Sequence, residues 1–253
     1  METKEIYKLY KGEILLTFDP VKHIYEVGGK VVEGVTGVTG VINKPALMYW
    51  AVNMTIEHLK RVLRAGRMYD EIQIIKMLED AKYAHRIKKT TAGDIGTLVH
   101  EAIETYIKTG EQKNPVNKDA RRAFKKFLNW AKTNSVRFIE SERKIYSKKL
   151  GYAGTMDFYA QIGDKNFVGD SKTSSGIWDE YWFQTSAYEQ AYKEETGNRV
   201  DGQIIVRVGK DGSIEVKENY EYAKNVKAFN GALELFRRMQ ELKSEGMKTK
   251  KEI

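Results

Sequence analysis

At Val136 the apolar period of the chain switches from helical towards two, and it holds there to Thr173. Val136–Ser147, Tyr152–Ile162 and Asn166–Thr173 read as three consecutive strands, with short turns at Lys148–Gly151 and around Gly163–Lys165. Three long strands joined by turns this short pair as hairpins, so everything else must pack around a sheet. Downstream, the pattern predicts a helix from Trp178 to about Thr196, strands near Gln203–Val208 and Ser213–Val216, and a last helix over Tyr222–Leu242. A Lys-rich tail, expected to fray, follows.

Upstream, Glu13–Phe18, His23–Val27 and Lys30–Val35 read as short strands punctuated by Asp-Pro and Gly-Gly turns. From Pro45 to Gly110 the period is helical. Leu47, Trp50, Ala51 and Met54 share one face, Glu71–Ala84 repeats the pattern, and a third helix is expected from near Ala92 to a stop at Gly110. The next helix, Lys118–Lys132, has an apolar stripe of Phe124, Phe127, Leu128 and Ala131 opposite a basic one that includes Arg121, Arg122 and Lys125. The expected class is α/β (α+β), a strand–strand–strand–helix–strand core with a helical N-terminal elaboration. We expect one domain: hairpins over 1–44, a helical cap over 45–134, the core over 135–245 and a basic tail over 246–253.

The 253 residues include no Cys, which rules out disulfides, thiolate zinc sites, cysteine-ligated iron–sulfur clusters and thiol nucleophiles. Any metal must then be held by carboxylates, His and carbonyl oxygens, a set that favours magnesium or manganese. The net charge is +8, and residues 117–149, with eleven Lys/Arg against three acids, carry an excess equal to all of it. A localised basic stretch is what phosphate binding by counterion release requires; a solvated helix face is the plainer alternative. No apolar run reaches the length of a membrane span, and the N-terminus reads as neither a secretory nor an import signal, so a soluble cytoplasmic protein is expected.

The chemistry concentrates in Gly154-Thr-Met-Asp157 and Asp170-Ser-Lys172. Asp170 and Lys172 are two apart on a strand and share a face. With a two- or four-residue loop in the hairpin between them, Asp157 falls opposite position 170 or 172. In the preceding hairpin, a four-residue loop at Lys148–Gly151 pairs Ser147 with Tyr152 and brings Glu142 opposite Asp157, with Glu140 expected on the same face one pair further out. Carboxylates gathered this way repel one another and are costly to bury unpaired. A divalent cation relieves the repulsion, and a lysine beside it stabilises charge that develops on a phosphodiester during hydrolysis. An ordinary ion-pair ladder is the alternative reading of the same residues.

Four motifs in order over residues 96–192 resemble the RecB-type branch of the PD-(D/E)XK nucleases: Gly96-Thr-Leu-Val-His100, Gly154-Thr-Met-Asp157, Val168-Gly-Asp170-Ser-Lys172, and Gln184-Thr-Ser-Ala-Tyr188. The N-terminal section, with Lys44-Pro-Ala-Leu-x-x-Trp50, is similar to the phage and mitochondrial genome-maintenance exonuclease group. The resemblance implies a restriction-endonuclease-like core, a central mixed sheet flanked by helices, and a metal-dependent DNA exonuclease of recombination, repair or replication. It implies Mg2+ or Mn2+ bound by His100, Asp157, Asp170 and the Ser171 carbonyl. Lys172 would position the attacking water, and Glu142, with Glu140 as its rival, would be the acid of the first core strand. Gln184 and Tyr188 would position the DNA backbone. The partner expected is DNA, single-stranded or with free ends, together with a strand-annealing or replication protein in a phage-like setting. A structure-specific endonuclease or nickase on the same fold, and a DNA-binding module that no longer cuts, are the alternatives.

Overall fold

The computed structural model describes residues 4–249, with no side-chain account beyond 245. The chain divides into two compact units, Met1–Ile42 with Val99–Ile253, and Asn43–Leu98. Four short strands, β1 (Glu5–Leu9), β2 (Ile14–Asp19), β3 (Ile24–Val27) and β4 (Lys30–Gly34), form an antiparallel meander. A one-turn helix α1 (Val35–Thr39) follows. The smaller unit holds α2 (Pro45–Val62) and the first part of α3 (Glu71–Thr109). Proline at the first turn of α2 costs no hydrogen bond, and Asp70 caps α3 by accepting from the Gln73 N–H at 2.8 Å.

In the larger unit come α4 (Lys118–Thr133), β5 (Arg137–Ser147), β6 (Tyr152–Ile162), β7 (Lys165–Lys172), α5 (Asp179–Thr196), β8 (Gly202–Val208), β9 (Ile214–Asn219) and α6 (Tyr222–Thr249). Nine strands make a mixed sheet in the order β1-β2-β3-β4-β6-β7-β8-β9, with β5 paired to β6 off that path. The pairs β4–β6 and β7–β8 are parallel and the others antiparallel. Helices flank this central mixed sheet. On one face α1, α5 and α6 bury Val35, Ile145, Tyr152, Met156, Tyr188, Tyr192 and Phe229. On the other, α4 buries Phe124 and Phe127, and rings of Phe127, Phe138 and Phe158 pack together 5.4–6.5 Å apart.

Two expectations need correction. No helix begins near Ala92: α3 runs unbroken for 39 residues, through the Thr90-Thr91-Ala92-Gly93 stretch. The Thr91 and Thr97 hydroxyls donate to the carbonyls one turn back, Ile87 and Gly93, so the local polar groups are satisfied inside the helix. The last helix does not stop at Leu242 but reaches Thr249. Of the tail expected to fray, 250–253 lie outside the described residues. The first strand, Glu5–Leu9, carried no turn signal on its N-terminal side and was not anticipated.

The β6 strand organises everything that follows. Along one edge it pairs with β5 over its whole length. Along the other it has two partners: β4 at Tyr152 and Ala153, and β7 from Phe158 to Ile162. Between them, Gly154 to Asp157 faces a fork with no strand beside it. Side chains fill that fork. The Tyr25 hydroxyl meets Thr155 Oγ1 at 2.8 Å, and Asp157 reaches across to β7.

Candidate metal centre

Asp157 stands at the mouth of the fork, one residue before the last β6–β7 pair, Phe158 with Gly169. Gly169 is required there, because a Cβ would lie 1.9 Å from the Phe158 ring. Gly154 is required for a similar reason: a Cβ would come within 2.8 Å of the Tyr188 ring. Beyond the pair the strands part, and the Asp157 carboxylate replaces the missing ladder bond. Its Oδ2 accepts from the Ser171 N–H and from the Ser171 hydroxyl, each at 2.8 Å.

From α3, His100 brings Nδ1 to 3.3 Å from Asp157 Oδ2 and 3.2 Å from Ser171 Oγ. From β5, Glu142 completes a group with His100 and Asp157 whose ligand atoms all lie within 4.8 Å of one another. Glu142 reaches it through a kink, with φ at +50° in the left-handed region. That kink separates the two β5 acids. Glu140 accepts from the Tyr192 hydroxyl and pairs with Arg143 on the α5 side, so it does not share the face of Glu142 as the simple alternation implied. A two-residue loop, Gly163-Asp164, joins β6 to β7, and it is the shorter of the two registers that sequence allowed.

Asp170 and Lys172 form a second, deeper layer. Asp170 is fully buried, its Oδ2 lies 2.6 Å from Lys172 Nζ, and its Oδ1 has no hydrogen-bond partner among the described residues. It is not one of the three clustered ligands. Lys172 stands over the Tyr181 ring at 4.9 Å and donates to Gln184 Oε1 at 3.4 Å, while Gln184 Nε2 donates to the Tyr188 hydroxyl at 2.6 Å. With 2% exposure, Tyr188 is part of the scaffold behind Lys172 and presents no open face.

The electrostatics divide the acids. Burial pushes Glu142 up to about 7, helped by the charge of Asp157. Burial also raises Asp170, to about 6, against the pull of Lys172. For Asp157 burial opposes ionisation, but His100, Lys172 and the Ser171 N–H overcome it and hold the carboxyl near 2. His100 is disfavoured as a cation by burial, yet Asp157 draws its pKa above the usual value. Lys172 likewise loses solvation and is raised by Asp170 and Asp157. The buried Asp170 Oδ1, which lacks a hydrogen-bond partner among the described residues, is an acceptor that a cation nearby would satisfy. One imidazole nitrogen and several carboxylate oxygens also form a donor set suited to magnesium or manganese. The residues therefore fit a divalent ion.

Arg121, Arg122 and Lys125 are not brought to this cluster. Arg121 donates to the carbonyls of Pro115 and Val116, closing the loop before α4, and Arg122 donates to the Lys210 carbonyl at 3.4 Å. With Lys125 they lie on the exposed face of α4, opposite the one that packs on the sheet. One neighbour of the site escaped sequence reasoning. Lys144, two residues after Glu142, is 8% exposed. Its only signal was strand alternation.

No protein-family model matches the sequence, and no curated protein matches it. Among solved structures, the chain is similar to the alkaline exonuclease LHK-Exo from Laribacter hongkongensis, with a TM-score of 0.36 and 13% identity over 60% of this chain and 82% of that one. It is also similar to SSO0001, with a TM-score of 0.31 and 15% identity over 77% of this chain and 88% of that one. Likenesses this slight assign no residue a role, and the site is read from its own geometry.

Proposed function

We propose that the protein is a metal-dependent deoxyribonuclease of the PD-(D/E)XK type, in its RecB-like branch, that hydrolyses phosphodiester bonds from DNA ends. One observation carries the reading. His100, Glu142 and Asp157 converge from a helix and two strands at the β6–β7 fork, with the Asp170–Lys172 pair directly behind them. Evolution has little structural reason to place three acids and a lysine at the one point where a sheet comes apart. Burying them without a cation is unfavourable.

In this reading His100, Glu142 and Asp157 would hold the ion, with the Asp170–Lys172 pair beside them. The ion would supply Lewis-acid polarisation of a phosphodiester and a nucleophile at neutral pH. Lys172 keeps its proton, since Asp170 and Asp157 both favour the ammonium, so its part is to stabilise charge on the phosphate in the transition state. Gln184 accepts from the lysine's ammonium and is itself held by the Tyr188 hydroxyl, so both act on the substrate through Lys172. Ser171 fixes Asp157 by two hydrogen bonds and keeps it ionised.

The test is digestion of end-labelled linear and covalently closed DNA, single- and double-stranded, with magnesium, manganese or EDTA. Metal-dependent loss of linear substrate alone is expected, falling at least a thousandfold in Asp157→Ala and Lys172→Ala. Cutting of closed circles would make it an endonuclease. Binding with no cleavage under either metal would sink the enzymatic reading.

A further inference from the structure

Beside the cluster, and sharing Glu142 with it, lies a cavity of about 660 Å³ between β1, the C-terminal part of α3, and β5. That volume is within the roughly 300–1,000 Å³ of small-molecule sites. Most of its wall charges are already matched. Glu104 pairs with Lys108 and Glu5 accepts from the Tyr7 hydroxyl, while the charges of Glu140 and Arg143 pair with each other on the α5 side. Lys8 is exposed.

Two wall charges are different. Glu142 makes no hydrogen bond or ion pair among the described residues, and its carboxylate belongs to the candidate metal centre. Lys144 is more than nine-tenths buried, has no carboxylate within ion-pair distance, and makes no hydrogen bond to any described residue. Its ammonium rests over two aromatic faces, 4.7 Å from the Phe18 ring centroid and 5.4 Å from that of Tyr7. Cation–π contact offsets only part of the cost of burying an ammonium. A cavity with an unmatched ammonium and a cation-binding carboxylate two residues apart on β5, and aromatic and aliphatic walls from Tyr7, Phe18 and Leu9, calls for a particular ligand. That ligand is anionic at one end and flat and apolar at the other.

We propose that this cavity is a nucleotide subsite, taking one nucleoside monophosphate unit beside the scissile bond with its phosphate on Lys144 and its base along Tyr7. The assignment rests on the nuclease reading for its substrate class and adds a residue that this reading did not use. Lys144 contacts the phosphate next to the reacting one, and so governs how the strand is seated.

The experiment titrates the full-length protein with dAMP and with deoxyadenosine by calorimetry. EDTA is present throughout, so that no cation can hold the phosphate. The expected result is saturable dAMP binding, with deoxyadenosine at least tenfold weaker. Lys144→Met should lose at least tenfold in dAMP affinity, whereas Lys144→Arg should stay within threefold of wild type. Should Lys144→Met fail to fold, reductive methylation of the wild type with peptide mapping gives a second readout, and dAMP should protect Lys144. Equal binding of dAMP and deoxyadenosine, no saturable dAMP binding, or unprotected Lys144 would overturn the subsite. DNA digestion is scored separately. Cleavage without dAMP binding removes the subsite and leaves the nuclease, and dAMP binding without cleavage under any metal removes the nuclease and leaves a nucleotide site.

Discussion

Glu142 and Asp170 carry their protons to unusually high pH in the folded protein, to about 7 and about 6 against ordinary values of 4.5 and 3.8. The folded state therefore binds more protons than the unfolded chain between about pH 4 and 7, and stability falls as pH rises through that window. Above it, each carboxylate destabilises the metal-free fold by something on the order of 2–3 kcal/mol. Asp157 works the other way, with a pKa held near 2, stabilising above the ordinary aspartate range and losing that contribution only as pH falls through 2. Glu142→Gln and Asp170→Asn should therefore raise the melting temperature at pH 8 in EDTA, with much less effect at pH 4, while abolishing cleavage. Adding magnesium should reverse the ranking, since a bound ion stabilises the wild type and has lost its ligands in the variants. A melt in which both variants are less stable than wild type in EDTA would refute this account of the acids.

At this scale, identities were easier to read than partners. Glu142, Asp157, Asp170 and Lys172 were legible as a group, because strand alternation and two turn lengths are enough to gather them, whereas His100, on a helix, was picked out only by the resemblance of its motif. That Glu140 leaves the face of Glu142 was not legible, since it depends on a left-handed residue at 142 that no Gly or Asn announced. Nor could spacing show that Asp170 would pair inward with Lys172, leaving the outer cluster to His100, Glu142 and Asp157.

Among the elements, β6 was predicted end to end, its hairpin with β5 in register and its hairpin with β7 as one of two registers, because the bounding turns Lys148–Gly151 and Gly163-Asp164 are short and polar. The pairing of β4 with β6 was invisible, being a two-residue parallel contact between segments far apart in sequence. The fork it helps create explains two glycines inside strands, Gly154 and Gly169. Gly169→Ala would drive a methyl group into the Phe158 ring at the last rung before the strands part. A loss of roughly 1–3 kcal/mol is expected from such overpacking. Phe158→Leu should recover part of it in the double variant, by chemical denaturation. Additive losses would mean that the ring and the glycine are not in contact as described. The long α3 shows the opposite failure: two threonines and a glycine look like a boundary, but hydroxyl groups that bond back one turn are compatible with a continuous helix.

Charge is the property that belongs to the whole molecule. The excess that residues 117–149 carry lies largely on the outer face of α4 and along β5, and only Lys144 among those lysines turns into the cavity beside the centre. If the α4 face tracks a DNA backbone away from the reacting bond, Arg122→Ala with Lys125→Ala should weaken binding. Each lost phosphate contact should also lower the slope of log affinity against log salt by about 0.9. Turnover at saturating DNA should be unchanged. An unaltered slope would return that face to solvent. Arg121 is a poor choice for this experiment, since it also closes the loop before α4.

The short parallel contact between β4 and β6 also sets an order in time. On the ribosome, Lys30–Gly34 emerges about 120 residues before Tyr152 and Ala153, the partners that will cover its outer edge. Until then the four-stranded meander presents an unpaired edge, the kind that other nascent chains can extend. Contacts across such a separation also slow the search for the native arrangement. Yield on refolding should fall as protein concentration rises, and holdase chaperones that shield sheet edges should restore it.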